Sequence, residues 1–223
     1  MKLNKYLMLL IMFFALIFSQ ESVLASHVVE NISADKALEK LIEGNKHFVE
    51  MKMEHPDCDK ERRKEMINGQ HPFAVVVSCS DSRVPLELIF DQGIGDIFEI
   101  KNAGNILDEH VIGSIEYAVV HLGVKLVVIM GHQDCGAVTA AVAHSKESKH
   151  IKSLVKTIEP AVKKAEKEKG CLLDNAIRHN AKIGVKNLLE EDKVIKKYVK
   201  KHNVKIIPAY YNLETGKVDF DIK

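Results

Sequence analysis

The feature that most restricts the fold is a pair of uninterrupted apolar runs, Phe73-Ala74-Val75-Val76-Val77-Ser78 and Lys125-Leu126-Val127-Val128-Ile129-Met130. A strand with one wet face alternates apolar and polar residues. A β-branched run without alternation is covered on both faces, as in a parallel sheet sandwiched between helices. Each run therefore reads as a central strand, and each ends in residues able to bind a metal. Cys79-Ser80-Asp81-Ser82-Arg83 follows the first, and Gly131-His132-Gln133-Asp134-Cys135-Gly136 follows the second. Parallel strands laid side by side would bring Cys79, His132 and Cys135 together at the carboxyl edge of the sheet, where open α/β sheets bind their ligands.

The segments between the runs fit the same architecture. Ser33 suits the N-cap of a helix whose apolar residues Ala37, Leu38, Leu41, Ile42, Phe48 and Val49 recur at helical spacing. A short helix is expected from Asp59 to Asn68 and another from Pro85 to Phe90, with a strand at Ile97 to Ile100 and a turn at Asn102-Ala103-Gly104-Asn105. Asp108 caps the next helix and Gly123 stops it; a further helix starts at Gly136 directly behind the ligand loop. Two or three Lys-rich amphipathic helices occupy Ile151 to His202, and Pro160 is expected to break or kink the first. Val204 to Tyr211 and Lys217 to Ile222 flank a Gly-containing turn. The order implies an α/β fold: a mainly parallel central sheet flanked by helices, with an N-terminal helical arm and a C-terminal β-hairpin.

Residues 1–25 have the form of a cleaved signal peptide, with Lys2 and Lys5 before an apolar run from Leu7 to Phe18 and a small-residue site ending at Ala25. That apolar run falls short of the roughly 20 residues a membrane span needs, so no membrane anchor is expected after cleavage. The mature protein, 26–223, is then a single domain in the periplasm or outside the cell. Losing Lys2, Lys5 and Glu21 takes the formal charge from +1 to about zero, which gives no footing for nucleic acid. The lysines beyond Lys146 are interleaved with acids and read as solvated helix faces. Of the four cysteines, Cys58 and Cys171 are not in ligand-like contexts; they either pair or remain free buried thiols.

Cys79, His132 and Cys135 are the residue types zinc prefers, and their spacings point to zinc. A structural site is closed by four such ligands, often in paired C-x-x-C knuckles on small modules. Here three strong ligands lie far apart in a domain large enough to fold without metal, leaving a fourth position for water or for Asp81. That arrangement indicates catalysis. A non-catalytic metal or thiol protein is the competing class; it would have no need of Asp81 or Arg83, and a thiol protein would usually carry C-x-x-C.

The Cys-Ser-Asp-Ser-Arg and Gly-His-x-x-Cys-Gly stretches, in this order and at this separation, resemble the β-class carbonic anhydrases from about Ala34 to the closing hairpin. The resemblance implies a lyase that hydrates CO2 reversibly to bicarbonate and a proton through zinc-bound hydroxide, with one Zn2+ per subunit on Cys79, His132 and Cys135. Asp81 and Arg83 fall on the family's Asp-Arg dyad, with Arg83 holding Asp81 off the metal. Gln70, Phe98 and Tyr117 match the substrate-pocket residues of the plant version. The family also implies a homodimer or a dimer of dimers whose pocket is completed across the subunit interface. A retuned scaffold could act on another small linear molecule such as CS2.

Overall fold

A computed structural model describes residues 31–222; the expected signal peptide lies outside them. The described chain runs α1 (Ala34–Val49), α2 (Lys60–Glu65), β1 (Ala74–Cys79), α3 (Leu86–Ile89), β2 (Ile97–Asn102), α4 (Glu109–His121), β3 (Leu126–His132) and α5 (Gly136–Val142). It continues through α6 (Lys149–Ala165), α7 (Leu172–Glu191), α8 (Lys193–His202), β4 (Lys205–Tyr211) and β5 (Val218–Asp219). Single 3-10 turns follow α2, at Met66–Asn68, and β2, at Ala103–Asn105. None of the described helices is long and apolar enough to cross a membrane.

The strands form one sheet in the order β2-β1-β3-β4-β5, parallel except for the antiparallel β4–β5 pair. Both unalternating runs are central, and every residue of β1 and β3 is buried. Successive side chains alternate between two separate cores. Val75, Val77, Cys79, Val127 and Ile129 face the layer of α4 to α8, whereas Ala74, Val76, Val128 and Met130 face α1 and α3. The N-terminal helix lies on this second face through Ala37 and Leu41, leaving Ile42 and Val49 exposed.

Helix starts follow the expected side-chain chemistry. Ser33 Oγ accepts from the Lys36 N–H, and Asp59 and Asp108 cap α2 and α4 in the same way. Three helices fill the region before β4, of which α6 and α8 are Lys-rich whereas α7 carries only Lys182 and Lys186. Pro160 does not break the first of them: α6 is continuous through it. Pro160 and Lys156 are both exposed, so the carbonyl that loses its N–H partner is on the wet side of the helix. The second hairpin strand is shorter than expected, because only Val218 and Asp219 pair with β4. Cys58 and Cys171 are free, and both are exposed rather than buried.

Candidate metal centre and active site

β1 and β3 are neighbours with Ser78 opposite Met130, so both strands end at the same edge. Cys79 is the last residue of β1, His132 is the last of β3, and Cys135 is the N-cap residue of α5. Their Cys79 Sγ, His132 ring nitrogen and Cys135 Sγ atoms lie within 4.8 Å of one another, and all three residues are buried. The His132 Nδ1–H faces the Gln133 carbonyl at 2.8 Å. That bond leaves Nε2 as the bare acceptor, and Nε2 is buried without a hydrogen-bond partner. A buried nitrogen lone pair with no donor is costly unless something binds it. One imidazole nitrogen with two sulfurs is a donor set that suits zinc, so these residues fit the ion.

The sulfurs are unlike each other. The Cys135 thiol donates to Cys79, and with help from the N–H groups of Gly104 and Asp81 it draws the Cys79 thiol down to about 4 against the cost of burial. Cys135, beside that thiolate and buried, is pushed up. The protein alone therefore already stabilises one thiolate, the form in which cysteine binds a metal.

Asp81 stands beside the three ligands, with Oδ2 3.8 Å from His132 Nε2. Arg83 grips it in a fork: Nε donates to Oδ1 at 2.9 Å and Nη2 to Oδ2 at 2.8 Å, while the Arg83 backbone N–H adds a third bond to Oδ1 at 2.9 Å. Arg83 holds this carboxyl well below the usual carboxylate range, so Asp81 is ionised throughout the physiological range. Arg83 Nη2 also donates to the Asp134 carbonyl at 3.3 Å, tying the gripping side chain to the His-x-x-Cys loop.

The three expected substrate-pocket residues lie elsewhere in the same chain. Gln70 is exposed in the loop before β1, at the end of the strand opposite Cys79. Phe98 pairs in register with Val75, four residues short of Cys79, which is about 13 Å at a strand's rise. Its ring lies 6.3 Å from that of Tyr117 on α4, which is 47% exposed. Phe98 and Tyr117 accompany β2, the outermost strand of the described sheet on that side, and none of the three is among the clustered metal ligands.

Two residues near the ligands escaped the sequence reading. Gly104 donates its N–H to Cys79 Sγ at 3.3 Å, and Asn180, buried on α7, donates to the Gly104 carbonyl at 2.8 Å. Gly104 falls inside a stretch already marked by turn chemistry. Asn180 sits within the long helix α7 and carries no local signal.

A family model described as carbonic anhydrase matches residues 74–218. Carbonic anhydrase 2 of Mycobacterium tuberculosis is 35% identical over 190 residues, covering 83% of this chain and 90% of that protein. The structure of the β-carbonic anhydrase CafA of Aspergillus fumigatus superposes with a TM-score of 0.66 at 28% identity, covering 85% of this chain and 92% of that one. A structure from work on two tetrameric β-carbonic anhydrases of Sordaria macrospora shares the fold, with a TM-score of 0.66 at 21% identity over 82% of this chain and 96% of that one. The matched region runs from the first strand to the last and includes both stretches that meet at the sheet edge: the chain belongs to the β-carbonic anhydrase family.

Proposed function

We propose that this chain catalyses the reversible hydration of CO2 to bicarbonate and a proton, with one zinc ion per subunit on Cys79, His132 and Cys135. The observation that carries this is the convergence of the three donor atoms within 4.8 Å around a buried, partnerless His132 Nε2. When bound, zinc supplies Lewis acidity that makes water a nucleophile, less strongly here than with three neutral ligands because two thiolates offset its charge.

Asp81 is placed to accept a hydrogen bond from that water and so to orient its lone pair toward carbon. Arg83 bonds both carboxylate oxygens, which keeps Asp81 ionised and fixes it beside the ligands. Gln70, Phe98 and Tyr117 serve the pocket of a partner subunit. Phe98 and Tyr117 sit at an outer strand of the described sheet, and a two-fold contact there would deliver each set to the other copy's metal. Phe98 and Tyr117 offer CO2 an apolar wall, and Gln70 a hydrogen-bond donor to one of its oxygens. The assembly is a dimer or a dimer of dimers, which light scattering would size. Residues 1–25 direct export, so the working protein begins near Ser26 and acts in the periplasm or outside the cell.

Stopped-flow CO2 hydration on the zinc-loaded mature protein tests the activity, with CS2 hydrolysis measured in parallel to exclude the retuned scaffold. Asp81→Asn keeps the shape but replaces an acceptor with a donor. It should lower kcat by about 100-fold or more while zinc content stays at one per subunit. Near-normal turnover by that variant would refute the role given to Asp81.

A further inference from the structure

Gly104 connects the metal centre to the helical layer behind it. It lies in the 3-10 turn after β2 at φ +77°, a left-handed conformation that favours glycine. A side chain at this position would meet Ile158 Cδ1 at 2.9 Å and Ala137 Cβ at 3.0 Å, so the turn is pressed against α6 and α5. Asn102 brackets the turn from below, accepting from the Ile106 N–H at 2.9 Å and donating to the Ile106 carbonyl at 2.8 Å. The remaining side is held by Asn180, which is 8% exposed and reaches across from α7.

An amide in that position is costly unless it is bonded, and the neighbouring positions of α7, Ala176, Ile177 and Ala181, are buried apolar residues. The bond Asn180 makes goes to the residue whose N–H points at the Cys79 sulfur. We infer that Asn180 is a positioning residue for the metal centre: by gripping the Gly104 carbonyl it aims the Gly104 N–H at Cys79 Sγ. The inference rests on Cys79 being a zinc ligand. An N–H bond to a ligating thiolate draws electron density from sulfur, so less of its charge reaches the ion and the ion stays a stronger Lewis acid. An asparagine that merely held the fold together would change stability and leave the sulfur unaffected.

The test uses the full mature chain loaded with cobalt(II), whose sulfur-to-metal charge-transfer band reports on the thiolates. Without its hydrogen bond the sulfur is a better electron donor, so the band in Asn180→Leu and in the less intrusive Asn180→Ala shifts to longer wavelength. Asn187→Leu, exposed and two turns further along the same helix, leaves the band in place. In the cadmium-113 form of the wild type, the Gly104 amide proton shows coupling to the metal through the sulfur, and Asn180→Ala loses it. A folded, metal-loaded Asn180 variant with the wild-type band overturns the inference. So does the absence of Gly104 coupling in the wild type, whether or not the variants fold. A wild-type chain that takes up no cobalt overturns the metal reading itself, which separates the two failures.

Discussion

Asn45 should be among the costliest single residues to replace outside the metal site. It is 5% exposed on α1, and its side chain bridges three parts of the chain. Nδ2 donates to the Ile89 carbonyl at 3.1 Å and the Gly216 carbonyl at 2.9 Å, and Oδ1 accepts from the Val218 N–H at 2.8 Å. Asn45→Leu keeps the branched shape but strands all three backbone groups in a buried place. Each stranded group costs about 1–3 kcal/mol. The better burial of leucine returns about 1.5–3 kcal/mol, so with three groups stranded the net loss, taken at the middle of each range, should be roughly 4 kcal/mol. For a protein of this size that lowers Tm by about 10 °C. Differential scanning calorimetry at fixed protomer concentration measures the loss, and hydrogen exchange locates it, because the Val218 amide should lose protection before the amides of β1 and β3 do. A Tm within about 2 °C of wild type, or unchanged protection at Val218, would refute the argument that this amide holds the hairpin to the N-terminal helix.

Glu99 supplies a pH-dependent case. One of its carboxyl oxygens is buried without a partner, and burial together with the nearby Glu87 carboxyl pushes the group up from 4.5 to about 7. Between those two values the folded chain holds a proton that the unfolded chain has lost, so stability falls as pH rises through the window. The rise corresponds to at most roughly 3 kcal/mol; solvent around exposed Glu87 reduces this to about 1–2 kcal/mol. Glu99→Gln should therefore be more stable than wild type by that amount at pH 8 and level with it near pH 4.5. Urea titrations showing the same difference at both pH values would contradict the assignment. Gly131→Ala addresses the strand that carries His132: a Cβ there would meet Ile177 Cγ2 at 2.8 Å and the Ile177 carbonyl oxygen at 3.2 Å. Because backbone cannot move aside as a side chain can, the end of β3 must shift, at a cost of about 1–3 kcal/mol. Chelator competition should show weaker zinc retention, and wild-type retention with wild-type stability would refute the close-packing argument.

The amino-acid sequence by itself determined the layers and the ligands. Runs such as Val75-Val76-Val77 and Val127-Val128-Ile129 can be buried on both faces only in the middle of a sheet, and the caps at Ser33, Asp59 and Asp108 act within a single turn. Such signals are local, and they put Cys79 and His132 at strand ends before any contact is known. Pro160 misled because whether a proline breaks a helix depends on which side of the helix faces water, and that side is chosen by packing. Only the tertiary structure decided that Arg83, while holding Asp81, also reaches the Asp134 carbonyl 51 residues along the chain, and that Phe98 and Tyr117 lie away from the metal ligands. It also decided that Asn180, 76 residues along the chain from Gly104, steadies the turn behind Cys79. The physical reason is the same in each case: a hydrogen bond or a register depends on distances between segments remote in sequence, and those distances exist only once the sheet has brought the segments together.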